Sequence, residues 1–247
     1  MPDVLVIGSS GGIGQACVDQ LMQRGCAVVG MDVASYPRDG DPGYTHLMAD
    51  GSSLAAVQDA LAAFPSIRHV INVAGGATPL EVDVDADLIR YEAVAATWAS
   101  NVMTSMTAID ALASHTSGLR RALHAADASV TLCSSINTIG NFSFPVYSAI
   151  KAAVEGLVVS MAIPLGAKGV RINCVRLGTV ITEASLALHA DAAGHYERLK
   201  HQAALGRFVS DREAAAAFVA LTIDLTACTG VTMTVDCGQS IPGSRAC

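Results

Sequence analysis

The first 25 residues constrain the fold more than any other stretch of the chain. Val4-Leu5-Val6-Ile7 is a short unbroken apolar run, the pattern of a strand buried on both faces. It passes directly into Gly8-Ser9-Ser10-Gly11-Gly12-Ile13-Gly14. Ala16, Cys17, Leu21 and Met22 then recur at helical spacing until Gly25. Strand, glycine turn and helix in that order open a parallel β-α-β unit that binds a dinucleotide. The glycines let backbone approach a pyrophosphate, and the helix N-terminus offers free N–H groups and positive dipole. A merely flexible Gly-Ser turn would not need a buried strand before it and a helix after it. A second apolar run, Ala27-Val28-Val29-Gly30-Met31, ends at Asp32, 18 residues past Gly14. Such units place there the acid that binds the adenosine ribose hydroxyls. That acid repels a 2′-phosphate. No Lys or Arg lies in the glycine turn or directly after Asp32, where Val33 and Ala34 follow; Arg38 is the nearby cation. The expected cofactor is NAD rather than NADP.

The alternation continues along the chain. Strands are expected near 3–8, 27–32, 45–49, 68–74, 129–134, 170–176 and 231–235. Helices are expected near 13–24, 52–63, 86–114, 117–126, 146–163 and 211–225. This pattern predicts an α/β chain, one doubly wound Rossmann domain over 1–247. Its central parallel sheet of about seven strands would be flanked by helices, with ligands at the carboxyl ends of the strands. With 51% apolar and 15% charged residues a sizeable core can form. A net charge of −7 weighs against a nucleic-acid surface. No run of 18 apolar residues predicts a membrane span, and no basic-then-apolar leader is seen. Seven scattered cysteines without a Cys-x-x-Cys pair are expected to be free thiols in a reducing cytoplasm. His189, His195 and His201 are six apart, which on a helix puts neighbours on different faces, so no metal site is expected.

Phe-Pro-Val-Tyr147-Ser-Ala-Ile-Lys151 carries the chemistry. Pro145 suits a first helical turn. Tyr147 and Lys151, at i and i+4, share a helix face. A fixed cation favours the phenolate and lowers a tyrosine pKa from its usual value of about 10. The pair would then serve as a general acid/base near neutral pH.

Taken together, these features resemble the short-chain dehydrogenase/reductase family in its compact form, over nearly the whole chain. The resemblance implies that Gly8, Ser10, Gly12, Ile13 and Gly14 form the cofactor turn. It puts Asp50 and Gly51 near the adenine, and Asn72, Ala74 and Gly75 at the family's Asn-Asn-Ala-Gly strand end, with one substitution. Asn101 matches the helix asparagine that holds a proton-relay water. After the strand Arg171-Ile172-Asn173-Cys174-Val175, Gly178, Val180 and Thr182 match the loop that meets the nicotinamide carboxamide. Tyr147 would take or give the substrate proton, and Lys151 would also bond the nicotinamide ribose. For the serine, the family's interval of thirteen residues before Tyr147 gives Ser134, and the position within the Ser-Ser pair gives Ser135. The gapless count is preferred, so Ser134 is the expected serine; in a strand the two point to opposite faces.

Three departures stand out. Leu177-Gly178 replaces Pro-Gly, Asp236-Cys237-Gly238 replaces Asp-Gly-Gly, and Pro164 is expected to end or kink the tyrosine helix early. Residues 183–207 match the family's substrate lid, with Gly194 and Gly206 as hinges. Asn137, Phe142, Phe144, Leu177, Ile181, Leu186 and Tyr196 are the expected substrate wall. It holds no Lys or Arg, so the expected substrate is a neutral, partly apolar small molecule bound by Ser134, Asn137, Phe144, Leu177 and Tyr196. Ala152, Ala153, Leu157, Val158 and Met161 suggest a packing stripe, and family members pair such helices, which implies a homodimer or homotetramer. The expected activity is interconversion of a secondary alcohol and a ketone. The rivals are a biosynthetic ketoreductase and a nucleotide-binding regulator that has lost the chemistry.

Overall fold

A computed structural model of the protein describes residues 3–36, 40–81, 89, 91–119, 128–140, 144–188 and 195–241. Seven strands form one parallel sheet: β1 (Asp3–Ile7), β2 (Val28–Asp32), β3 (Tyr44–Met48), β4 (Ile67–Asn72), β5 (Ala128–Ser135), β6 (Val170–Leu177) and β7 (Thr232–Val235). Their order is β3-β2-β1-β4-β5-β6-β7. Every expected strand is present within a residue or two of its expected ends. The order reverses between β1 and β4, so the crevice for a ligand opens above that pair.

Both sheet faces are covered. Along β1, Leu5 and Ile7 join the core under α2 (Leu54–Ala63), α4 (Thr104–Leu119) and α5 (Pro145–Gly166). Val4 and Val6 join the core under α1 (Gly12–Gln23) and α8 (Asp211–Val219). Alternate residues thus serve opposite faces, which explains why the strand is apolar throughout.

The helix expected over 86–114 is interrupted. α3 (Tyr91–Trp98) passes into a π-helical turn, Ala99–Met103, and then α4. Side chains supply the bonds that the wider turn loosens. Thr104 Oγ1 donates to the Ser100 carbonyl at 2.8 Å, and Ser105 Oγ to the Asn101 carbonyl at 2.7 Å. The expected helix over 117–126 is not separate at its start, because residues 117–119 close α4; residues 120–127 lie outside the described residues.

α5 corrects another expectation: it runs through Pro164 to Gly166. Pro164 falls in the last turn on the exposed side, where the carbonyl it leaves free, that of Ser160, is at the surface. α5 is also long and apolar enough to cross a membrane by composition, with mean hydropathy 1.6. Here it lies along β5 and β6 and sends Val154 and Val158 into the core, while Val159 and Ile163 are 69% and 85% exposed. Of the expected packing stripe, Val158 is core, and Ala153, Leu157 and Met161 are half-buried against it.

Candidate active site

The glycine turn is built by backbone meeting backbone. Gly8 has φ 85°, and a Cβ there would lie 2.6 Å from the Ala74 nitrogen at the end of β4. A Cβ on Gly14 would lie 2.0 Å from the Gly8 carbonyl oxygen. Gly11 opens α1 with no side-chain cap. The first-turn N–H groups are therefore available to an anion. Asp32 sits directly on this turn: its carboxylate accepts from Ser10 N and from Ala34 N, both at 3.0 Å. A clamp from β3 holds the segment after Asp32. Tyr44 Oη bonds His46 Nδ1 at 3.0 Å, and His46 Nε2 bonds the Ala34 carbonyl at 2.9 Å. Val33 is 70% exposed beside it. Asp50 is exposed and accepts from Ser52 N at 2.8 Å, while Gly51 is buried. Asn72 has its side chain turned into the fold. Its amide is spent inside the fold, donating to Thr104 and Ser105 at 3.2 Å and accepting from Ala74 N at 3.2 Å. It ties the end of β4 to α4, leaving Gly75 and Gly76 to face the crevice.

Tyr147 and Lys151 share one face of α5, the ammonium 5.6 Å from the ring centroid. Lys151 is buried, and its Nζ donates to the Cys133 carbonyl at 2.9 Å. Burial pushes the Tyr147 phenol up and Lys151 pulls it down; burial prevails, so the net shift is upward. The expectation of a lowered phenol is thus corrected in net direction, although the lysine acts with the expected sign. Burial likewise disfavours the Lys151 ammonium, but Tyr147, Cys133 and Cys174 together outweigh it and its pKa is raised.

The two serines divide as strand geometry requires. Ser134, 1% exposed, borders the cleft, but its hydroxyl donates to Glu155 Oε1 at 2.7 Å. Ser135 shares the cleft wall with Tyr147 and favours its ionised form. Ser135 Oγ also donates to Asn137 Oδ1 at 2.9 Å. The interval count therefore selects the serine that faces Glu155, and Ser135 replaces Ser134 as the hydroxyl beside the tyrosine. Asn101 is buried in the π turn. Its amide donates to the Thr97 carbonyl at 2.8 Å and the Gly76 carbonyl at 3.1 Å, and its Oδ1 has no partner. A buried acceptor left open is a place for a water.

A cleft of about 290 Å³ joins these parts. Ile13, Gly75, Gly178, Val180 and Thr182 line it on the cofactor side, and Asn137, Phe144, Leu177 and Tyr196 on the other. Ile181 and Leu186 are not in its wall and are 41% and 48% exposed. Phe142, Arg38, His189 and Gly194 lie outside the described residues. The wall also includes residues the sequence reading missed: Val73, Ala77, Thr179, Ser185, Leu199 and Gln239. In the segment expected as a lid, α6 (Glu183–Leu188) starts with a reciprocal cap between Thr182 and Ser185. α7 (His195–Gln202) is pinned to it by Tyr196 Oη donating to the Ser185 carbonyl at 2.5 Å. Cys133, at the cleft floor, has its thiol pushed up by burial, which opposes a nucleophilic role. Among the described residues no cluster of His, Cys, Asp or Glu could hold a metal.

A seven-stranded parallel sheet with a glycine turn and a tyrosine-lysine cleft at its switch point defines a nicotinamide-linked oxidoreductase of the Rossmann type. The family described as Enoyl-(Acyl carrier protein) reductase matches residues 44–240. A cis-4-hydroxycyclohexanecarboxylate dehydrogenase from Sinomonas cyclohexanicum is 31% identical, over 96% of this chain and 95% of its own. A 3-oxoacyl-(acyl-carrier-protein) reductase from Vibrio cholerae serotype O1 is 27% identical, over 95% of this chain and 96% of its own. A solved oxidoreductase of the short chain dehydrogenase/reductase family from Burkholderia thailandensis superposes with a TM-score of 0.83 at 27% identity, covering 97% of this chain and 93% of that one. The chain belongs to the short-chain dehydrogenase/reductase family.

Proposed function

We propose that this protein is an NAD-dependent oxidoreductase that interconverts a secondary alcohol and a ketone, with Tyr147 as general acid/base. The observation that carries the reading is the Tyr147 phenol, faced by Lys151, in the wall of one cleft with Ser135 and with Ile13 of the glycine turn. The cofactor supplies hydride transfer when bound. The uncapped start of α1 and the Asp32 carboxylate would hold its pyrophosphate and ribose, and Asp32 supports NAD over NADP. In oxidation Tyr147 takes the hydroxyl proton. Ser135 holds the substrate oxygen, and Lys151 stabilises the phenolate. Asn101, with its open acceptor, holds a water on the proton path.

Apart from Lys151, which serves the phenol, the described cleft wall is uncharged. That favours a neutral, partly apolar substrate, and the name of the Sinomonas relative favours a cyclic alcohol. The Vibrio relative's name favours a second reading, a ketoreductase working in the reducing direction. Both directions use the same residues. The exposed Val159 and Ile163 on α5 and Trp98, 41% exposed at the end of α3, support assembly as a homodimer or homotetramer. The free thiols fit a cytoplasmic, reducing setting.

The test is a panel of alcohols and ketones, cyclohexanol among them, assayed with NAD and NADP. Tyr147→Phe should lose turnover by at least about a hundredfold while still binding NADH. Substantial residual turnover in that variant would remove the assignment.

A further inference from the structure

The first turn of α5 has an anchor from far away in the chain. Phe144 precedes it in a left-handed conformation, φ 59°, and offers no side-chain oxygen as a cap. Pro145 has no N–H, so the N–H groups of Val146 and Tyr147 need acceptors. Both find them on Glu81, at the end of the 3-10 turn Pro79–Glu81. Glu81 Oε1 accepts from Val146 N at 2.9 Å, and Oε2 from Tyr147 N at 3.1 Å. Glu81 is buried, 6% exposed. A carboxylate is costly to bury unless hydrogen-bonded, and the positive end of a helix offsets that cost. Ala77 and Gly76, just before this turn, line the cleft. One side chain therefore fastens the loop after β4 to the backbone of Tyr147.

We propose that Glu81 is a positioning residue for the reaction: it holds the first turn of α5 and so sets where the Tyr147 phenol meets Ser135 and Lys151. The proposal rests on Tyr147 being the acid/base. Lys151 from the same helix, Cys133 and Ser135 from β5, and Glu81 from the 3-10 turn all act on the phenol. Lys151 and Ser135 favour its ionised form, and Cys133 and Glu81 oppose it. Glu81 thus has two separable effects, place through its hydrogen bonds and ionisation through its charge.

Two variants separate them. Glu81→Gln keeps an acceptor and removes the charge; Glu81→Ala removes both. With cyclohexanol and NAD as the probe, Glu81→Ala should lower kcat about ten- to a hundredfold, the scale of a displaced reacting group, with KM for NAD unchanged. Glu81→Gln should recover most of that loss. The second readout needs neither substrate nor cofactor. The tyrosinate absorbance is titrated in wild type, Glu81→Gln and Tyr147→Phe; the component missing in the last is Tyr147. Removing a negative charge favours the phenolate, so this component should move to lower pH in Glu81→Gln. Wild-type turnover in Glu81→Ala would overturn the proposal. So would equal losses in both variants, or a Tyr147 titration that stays in place. If Glu81→Ala does not fold, the Glu81→Gln titration decides. Turnover retained in Tyr147→Phe would instead remove the acid/base reading, leaving the titration result intact.

Discussion

The two walls of the crevice are held by different means. On the cofactor side, backbone lies against backbone. The oxygen of Gly8 occupies the space that a Gly14 side chain would need, and Ala74 the space beside Gly8. On the substrate side, side chains do the holding. Glu155, on α5, accepts from Ser134 at 2.7 Å, Thr138 at 3.0 Å and Arg176 at 2.9 and 2.5 Å. Arg176 reaches on to Thr234 on β7. A cradle of packed backbone fails by steric overlap and is insensitive to pH. A wall of hydrogen bonds and charges fails by losing a partner or a proton.

The largest effect should break the backbone side. Gly14→Ala places a methyl 2.0 Å from a backbone oxygen that has nowhere to go. It should cost roughly 2–3 kcal/mol and abolish NADH binding. Gly76→Ala, where a Cβ meets nothing within 4 Å, should change stability by under about 0.5 kcal/mol. Thermal denaturation with and without NADH reads both. Equal Tm values for the two variants would show that the turn yields more than its geometry allows.

On the substrate side the serines give the next effect. Ser135→Ala removes the hydroxyl beside the phenol and should lower kcat about a hundredfold. Ser134→Ala removes a bond to Glu155 and should cost about 1 kcal/mol of stability with a smaller change in kcat. Steady-state kinetics beside melting curves would reveal a reversal, which would return the role to Ser134.

This division also explains what could be read from the chain. Gly8 and Gly14 were legible because close backbone contact demands glycine at fixed spacing after a buried strand, and Asp32 because it ends the next apolar run. The inner strands β1 and β2 were legible because a doubly covered sheet needs continuous apolar runs. Ser134 was preferred to Ser135 because an interval count cannot tell which of two neighbouring serines faces the tyrosine. Pairing to Arg176 and Thr234 on one face, seen only in the assembled sheet, is what turns Ser134 toward Glu155. Glu81 carries no local signal, since it acts on a helix 65 residues away. The π turn was hidden too, because Thr104 and Ser105 look like ordinary polar helix residues until their carbonyl partners are known.

Cofactor choice should give a more moderate effect. Asp32 accepts from Ser10 N and Ala34 N; on the proposed reading it also repels a 2′-phosphate, so Asp32→Ala should weaken NAD and relieve the repulsion of NADP together. The ratio of kcat/KM for NAD over NADP should narrow about tenfold, near the 1.4 kcal/mol worth of one charge-assisted hydrogen bond. A wild-type enzyme that prefers NADP would sink this reading before any mutant is made.

The smallest effect sharpens the contrast through pH. Burial pushes the Glu155 carboxyl up, but hydrogen bonds from Arg176, Ser134 and Thr138 outweigh it and the net shift is down. A folded pKa below the unfolded value, about 4.3 for glutamate, means stability present above that value. It is lost as pH falls through the lower folded pKa. Acid should therefore loosen the segment Ser134–Thr138 while the Gly8–Gly14 contact, made of backbone on backbone, keeps its protection. Glu155→Gln should cost roughly 1–2 kcal/mol near neutral pH, because it leaves the half-buried Arg176 without its charge partner. It should also flatten the fall in Tm between neutral and acid pH. Hydrogen exchange resolved by segment would follow both walls at once. Parallel loss of protection at the glycine turn and at Ser134–Thr138 on acidification would mean that the crevice opens as one unit, and that its two walls are not independently held.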